Sequence, residues 1–423
     1  MPVGIRLPSE REIARILQVS RGTVTVALDR LRDGGWVITR HGSGSTIRLP
    51  PDLTGRTAPL SADQGGAVLD LRAAVTAAPH QACLAAMDRA TSRFATALLD
   101  DGAAHGGMMC LRDAVAARYT AAGLATRPEQ VLITSGARAA AWLLIDCLHD
   151  RRRPFLAENP SYPGVLALVR RRRARVVTVP VTGDGWDESR LRDAVLSQRP
   201  GMAYLMPDFH NPAGPLMPAR LRAEVSTLAD STDMTVVADE TMRDLDLRDP
   251  PRPLPHLAGP KVISIGSASK LFWGGLRIGW IRTTSARVAE LQLSPLAALV
   301  SPPPLDQLIA TELLADERHI LPARRAQLRA QRDHLAGLLQ EEQHWSFRSP
   351  PGGLSLWLRL HRLTGQELAH RAQAHGLLIA PGQWFSPNGT LVHHVRLPFT
   401  ATPDTLTRAV AILRSGSESS EDT

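Results

Sequence analysis

Beyond residue 67 the sequence alternates short apolar runs with longer stretches of helical periodicity, which restricts this part of the chain to a sheet flanked by helices. The runs are Val131-Leu132-Ile133, Val176-Val177-Thr178-Val179, Ala203-Tyr204-Leu205, Val236-Val237-Ala238 and Val262-Ile263-Ser264-Ile265, and helical patterns such as Cys110 to Ala122 lie between them. Continuous apolar runs too short for helices suit strands buried on both faces, so the sheet is expected to be mostly parallel, with its ligand at the carboxyl ends of the strands. Residues from about 310 to 413 read as a smaller α+β unit ending in the strand-like His393 to Leu397. Residues 414–423, closing in SGSESSEDT, read as a disordered acidic tail.

Residues 1–49 follow another pattern. Ser9 with Glu12 three positions on is a capping signature, and Ile13, Ile16 and Leu17 share one helical face. Val19-Ser20 closes that helix and caps a second, in which Val24, Ala27, Leu28 and Leu31 keep helical spacing until Gly34-Gly35 stops it. Trp36-Val37-Ile38 and Thr46-Ile47 then read as two short strands around His41-Gly42-Ser43-Gly44. Residues 50–66, PPDLTGRTAPLSADQGG, lack apolar periodicity and read as a linker to a body spanning 67–413.

Composition excludes several classes. Hydrophobic residues at 43% and charged residues at 21% suit a globular protein, and no apolar run is long enough for a membrane span. Met1 to Leu7 leads into a polar, helix-like segment without signal-peptide features, so a cytoplasmic location is expected. Cys83, Cys110 and Cys147 have no metal-ligand spacing and are expected as reduced thiols, and no metal site is expected. The net charge of +8 suits a polyanionic partner, and the first 49 residues concentrate Arg6, Arg11, Arg15, Arg21, Arg30, Arg32, Arg40 and Arg48.

Four phrases follow the strand runs. Thr134-Ser135-Gly136-Ala137-Arg138 is a small-residue turn into a helix, where backbone N–H groups and the helix dipole hold phosphates. Pro207 to Gly214 fixes Asn211 in a Pro- and Gly-shaped loop. Asp239 ends a buried run, where an unpaired charge is costly and a cationic partner is expected. The last, GSASKLFWGGLRIGW, holds Lys270, one of only two lysines in a chain that otherwise uses arginine. The runs Arg151–Arg153 and Arg170–Arg175 read either as solvated helix ends and loops or as an extension of a DNA-binding surface. His210 reads as structural, and the tryptophans at 142, 186, 273, 280, 357 and 384 as core or interface residues.

The PSERE and VSRxTV phrases, with helix, helix and hairpin in order, resemble the winged helix-turn-helix of GntR-type transcriptional regulators. That resemblance implies that Arg21, Gly22, Thr23 and Thr25 open the recognition helix in the major groove. It also implies that Arg11 meets phosphates and that Arg40, His41 and Gly42 form the wing. Such domains carry one more helix before the phrase matching Pro2 to Pro8. With that first helix missing, the two remaining helices are expected to lack an apolar partner, so either the true start lies upstream or DNA binding is impaired.

Residues 68 to 413 resemble fold-type I pyridoxal-phosphate (PLP) enzymes of the aminotransferase class, with a large α/β domain and a small C-terminal α+β domain. The resemblance implies that Lys270 forms a Schiff base with PLP, which a permanently protonated guanidinium cannot do. Asp239 would pair with the pyridinium nitrogen, Asn211 would bond the ring's phenolic oxygen and Tyr162 would stack on the ring. Gly136, Ala137, Arg138, Ser267, Ser269 and Arg277 would hold the phosphate, and Arg396 would clamp an effector or substrate carboxylate. Thr241 belongs to the implied cofactor set. Yet Thr241-Met242 stands where the family has an aromatic hydroxyl, so the second bond to the phenolic oxygen is expected to be weak or missing. Arg138 likewise replaces a common glutamine.

Both modules together resemble the MocR subfamily of GntR-type regulators. This implies a PLP-dependent DNA-binding regulator, a homodimer on a double-stranded operator, that senses an amino compound or a B6 vitamer. An active aminotransferase with a vestigial N-terminal segment is the alternative.

Overall fold

A computed structural model describes residues 7–33, 36–40, 44–47, 68–99, 102, 106–340 and 343–418, and the chain divides into two compact units, Met1–Gly66 and Ala67–Thr423. The expected linker and most of the wing lie outside the described residues.

In the first unit, Ser9 accepts the Glu12 N–H at 3.3 Å and starts α1 (Glu10–Leu17), which stops where Gln18 turns left-handed. Ser20 accepts the Thr23 N–H at 3.1 Å at the start of α2 (Arg21–Asp33). β1 (Val37–Arg40) pairs antiparallel with β2 (Gly44–Ile47), placing Val37 opposite Ile47. Ala14, Val24 and Leu28 form the small core, with Leu7 and Ile13 packed against it. The apolar stripe expected of α1 differs from the one observed. Ala14 is buried and Ile13 partly so, whereas Ile16 and Leu17 stay 59% and 62% exposed, and Val26 and Leu31 on α2 are exposed too. Two short helices and a hairpin cover only one side of each helix.

The second unit begins with β3 (Leu69–Asp70), α3 (His80–Ala97) and α4 (Met109–Ala121). Then follow β4 (Val131–Thr134), α5 (Ala137–Leu148), β5 (Phe155–Asn159), α6 (Pro163–Arg171), β6 (Val176–Thr182), β7 (Gly185–Trp186), α7 (Glu188–Gln198), β8 (Met202–Leu205), α8 (Ala219–Thr232), β9 (Thr235–Asp239), β10 (Val262–Ser267) and β11 (Gly279–Arg282). They build an eight-stranded sheet in the order β4-β11-β10-β9-β8-β5-β6-β7. Strands β10, β9, β8, β5 and β6 run parallel, while β11 lies antiparallel between β10 and β4. Alternation explains the continuous apolar runs: Val237 faces a core formed with α5 and α6, whereas Val236 and Ala238 face one formed with α7 and α8.

The smaller part is a four-stranded antiparallel sheet, β12 (Trp345–Ser346), β13 (Ser355–Leu360), β15 (Ala380–Pro381) and β16 (His394–Pro398), in the order β12-β13-β16-β15. The remaining strand, β14 (Leu377–Leu378), pairs in parallel with β3, which leads the segment after Asp70 toward the cofactor site. The last helix, Pro403–Glu418, runs past the expected start of the disordered tail. Leu406, Val410 and Leu413 bury its inner face, and Arg371 Nη1 donates to the Gly416 carbonyl at 2.9 Å.

Arg222 anchors the loop after β8. It is 2% exposed and donates to the carbonyls of Met217, Pro207 and Pro255 at 2.9, 2.8 and 3.0 Å and to Asp208 at 2.8 Å. Replacing Arg222 by Ala leaves the buried Asp208 carboxylate with only the more distant Arg243, 3.5 Å away. The expected cost is about 3–5 kcal/mol, read from the urea midpoint of tryptophan fluorescence; an unchanged midpoint contradicts this anchoring role.

Candidate cofactor site

Asp239 closes β9 at 7% exposure. Its Oδ1 accepts the Thr241 N–H at 3.0 Å, and its Oδ2 accepts the Tyr204 hydroxyl from the neighbouring strand β8. Among the described residues no cation forms an ion pair with Asp239. Burial raises its carboxyl above the ordinary range, and the Thr241 and Tyr204 donors and the Lys270 charge act against that rise. The cationic partner expected from the sequence is therefore not supplied by the chain's own ion pairs.

Lys270 lies on the one-turn helix Ala268–Leu271 directly after β10, and its Nζ donates to the Ala74 carbonyl at 2.7 Å. Burial, aided by the nearby Arg396 charge and opposed by Asp239, brings its pKa down to about 8. In the loop after β8, Gly214 sits at φ 87°, and the Asn211 Oδ1 accepts Arg396 Nη1 at 3.3 Å. Asn211 Nδ2 has no partner among the described residues. Arg396, on β16 and 6% exposed, also donates from Nη2 to the Arg72 carbonyl, lies 4.9 Å over the Phe385 ring and leaves Nε unpartnered. Burial lowers its pKa to about 10, against an opposing effect of Tyr162, whose ring packs on Gly164. Lysine, aspartate, asparagine, tyrosine and arginine thus share one neighbourhood.

The turn before α5 forms the other end of the site. Gly136 at φ 98° precedes α5, and the N–H groups of Ala137 and Arg138 find no acceptor among the described residues. Arg277 Nη2 reaches the Ser135 carbonyl at 3.4 Å, and a Cβ at Gly136 would stand 3.8 Å from that guanidinium. Gly279 allows this approach, since a Cβ there would lie 2.6 Å from the Ala137 nitrogen. Arg138 is exposed and Ser269 half-buried. The Ser267 hydroxyl donates to the Ile278 carbonyl at 3.1 Å and accepts the Ser269 N–H at 3.1 Å, capping the turn that bears Lys270. Thr241 offers its backbone N–H to Asp239, and Met242 is buried in the core of the smaller part, so no aromatic hydroxyl occurs at either position.

On the reader unit, Arg11, Arg21, Gly22 and Thr23 are exposed. Thr25 is half-buried and donates to Glu10 Oε2 at 2.9 Å, which ties α2 to α1 and leaves it less open than expected. The Arg40 side chain, His41 and Gly42 lie outside the described residues.

Sequence reasoning missed two supports. Tyr204 was visible only as one apolar letter of a strand; its role depends on the pairing of β8 with β9, which sets Leu205 opposite Ala238. Glu158, fully buried at the end of β5, accepts Trp186 Nε1 at 2.6 Å and the Met206 N–H at 2.9 Å and lies 3.2 Å from His210 Nε2. It ties the turn before Tyr162 to the loop of Asn211, which agrees with a structural His210. An acid directly after the apolar run Phe155-Leu156-Ala157 was the available signal.

The family described as aminotransferase class I and II matches residues 82–413, and bacterial regulatory proteins of the gntR family match residues 1–47. The chain belongs to the aminotransferase class I and II family. Its two modules together are those of a MocR-type, PLP-dependent DNA-binding regulator. A 2-aminoadipate transaminase of Thermus thermophilus is 30% identical over 307 residues, which cover 70% of this chain and 77% of that protein. The uncharacterized HTH-type transcriptional regulator YdcR of Escherichia coli is 27% identical over 414 residues, covering 90% and 88%. Among solved structures, LysN, the α-aminoadipate aminotransferase of Thermus thermophilus complexed with N-(5'-phosphopyridoxyl)-L-leucine, superposes with a TM-score of 0.76 at 26% identity, covering 83% of this chain and 92% of that one.

The residues present fit PLP, the cofactor of this aminotransferase-class body. They offer a buried carboxylate without a cation, an amine of lowered pKa, an unpartnered amide donor and two free backbone N–H groups beside an arginine. With Lys261 as the only other lysine, acylation followed by mass spectrometry isolates the amine cleanly. In cofactor-free protein, Lys270 acylation is expected to rise with a midpoint near pH 8 and to move upward in Arg396→Leu, where a neighbouring cation is lost. A midpoint at the ordinary lysine value contradicts the burial described. Tyr204→Phe removes one donor from Asp239 and is expected to weaken PLP affinity about tenfold, on the order of 1 kcal/mol, in a fluorescence titration. Unchanged affinity excludes that support.

Proposed function

We propose that this protein is a cytoplasmic homodimeric regulator whose body senses a carboxylate-bearing amino compound and thereby alters operator binding by its reader heads. The single observation carrying this reading is the convergence of Lys270, Asp239, Asn211 and Arg396 in a chain that begins with an exposed recognition-helix start at Arg21, Gly22 and Thr23. When bound, PLP supplies an aldehyde that condenses with primary amines and a ring that withdraws electrons.

The chain's residues divide the remaining work. Lys270, with its pKa near 8, is substantially neutral at slightly alkaline pH and available as a nucleophile. Asp239, held by Tyr204 and Thr241, keeps a proton on the ring nitrogen. Asn211 Nδ2 would bond the phenolic oxygen, and Tyr162 would cover the ring. Arg277 and the N–H groups of Ala137 and Arg138 would hold the phosphate, and Ser269 and a turned Ser267 hydroxyl would join them. Arg396 offers a planar fork to a carboxylate over the Phe385 ring, and a carboxylate displaces its weak bond to Asn211. Arg21, Gly22, Thr23 and Thr25 read the major groove, while Arg11, Arg40, His41 and Gly42 meet the backbone. Apolar groups left open near the site support dimerisation: Trp273, three residues after Lys270, is 46% exposed, and Met87 on α3 is 48% exposed.

Gel retardation with cofactor and a panel of amines tests the proposal. A matching effector is expected to change operator affinity about 5- to 150-fold, and Lys270→Ala is expected to abolish that response. Rapid transamination without any DNA binding contradicts it and favours the enzyme.

A further inference from the structure

The sheet has a second edge that the cofactor does not use. The five parallel strands β6, β5, β8, β9 and β10 present Asp239 and the loop of Asn211 at their carboxyl ends. Their amino ends lie about 15 Å away, the length of a short strand. The residues just before these strands are Arg175 before β6, Arg151 to Arg153 before β5, Arg199 before β8 and Lys261 before β10. Backbone bonds stitch these positions into one rim: the Phe155 N–H donates to the Arg175 carbonyl at 2.8 Å, Gly201 to Pro154 at 2.9 Å, Thr235 to Gly201 at 3.0 Å and Val236 to Lys261 at 2.9 Å. Arg171 and Arg173, at the end of α6, extend the same edge.

Charge on this rim is predominantly positive, although Lys261 and Arg153 both face Asp233. Arg151, Arg152, Arg171, Arg173, Arg175 and Arg199 are all exposed, and none forms an ion pair among the described residues. Of the acids nearby, Asp146 pairs with Arg172 and Asp233 with Lys261 at 2.5 Å, while the exposed Asp150 accepts the Arg152 backbone N–H at 2.9 Å. Arg173 and Arg199 sit at φ 54° and 48° in the turns that follow α6 and α7. Within that run Arg170 and Arg172 are the exceptions, since Arg170 donates to the Ser386 carbonyl at 2.7 Å and Arg172 pairs with Asp146.

We propose that this arginine rim on the body is a second DNA contact, which holds the sugar-phosphate backbone without reading sequence. A row of exposed guanidinium groups along one edge complements the regular phosphate spacing of a duplex, and each phosphate neutralised adds salt dependence rather than specificity. The proposal rests on the DNA-binding reading above and extends it from the reader heads to the body.

The test uses the full chain with PLP and a random-sequence duplex of about 80 bp, longer than the two half-sites about 10 bp apart that a dimeric head occupies. The reader is disabled by Arg21→Ala and Thr23→Ala, so this measurement stands apart from operator recognition. In that background, adding Arg151→Gln, Arg171→Gln, Arg173→Gln and Arg175→Gln is expected to weaken duplex binding at least about tenfold and to flatten the slope of log affinity against log salt by about 3. Cofactor absorbance and the thermal midpoint are expected to stay unchanged, which shows that the body remains folded. Equal affinity and slope in both proteins overturn the rim. Weaker binding to polyglutamate with an unaltered DNA slope also overturns it, in favour of an acidic protein partner. Loss of effector response on the operator, with the rim effect intact, counts instead against the regulatory reading.

Discussion

A carboxylate buried at the end of a parallel strand, with neutral donors on both oxygens and no cation bound to it, is the constraint on which the site depends. Asp239 holds this position because β9 lies inside the sheet, and Tyr204 on β8 and the Thr241 amide keep the carboxylate oriented. A group in such surroundings is stable as an anion only if a positive charge arrives. A pyridinium nitrogen meets that need, and the amine, amide and arginine placed nearby match the rest of the same ring.

The topology explains why residues so distant in sequence meet. Asp239, Lys270 and the loop of Asn211 each follow a strand of the same parallel set, so they emerge along one edge. Arg396 comes from the other sheet, and Ala74 and Arg72 arrive because β3 pairs with β14. The amine of Lys270 is held near pKa 8 by burial and by Arg396 together, so the two residues are electrostatically linked. Under the proposed function, a ligand carboxylate that neutralised Arg396 would raise the Lys270 pKa, one physical route by which binding would be registered. Conversion of that event into altered DNA affinity requires that the effector prefer one conformation of the body.

Much of this was legible in the sequence, because strand runs buried on both faces are apolar throughout and the chemical residues follow them directly. The large sheet and the positions of Lys270, Asp239 and Asn211 come from that rule. What was not legible depends on pairing. The Tyr204 hydroxyl acquires its partner only through the register of β8 with β9, and Glu158 becomes a junction only when β5, β8 and the loop of His210 converge. The capping role of Ser267, whose hydroxyl accepts the Ser269 N–H of the one-turn helix, was likewise visible only once that helix was placed. In the reader unit, helical periodicity named Ile16 and Leu17 as inward, yet burial also needs neighbours, and Ala14 took that place.

The central claim is that Lys270 is kept as a lysine because its amine carries the cofactor. The most direct measurement is the absorbance near the visible edge after the full chain is mixed with PLP, compared among the native protein, Lys270→Ala and Lys270→Arg. The account expects a band in the native protein and none in either variant, although arginine preserves the positive charge. A band that survives in Lys270→Arg, or its absence from the native protein, contradicts the account.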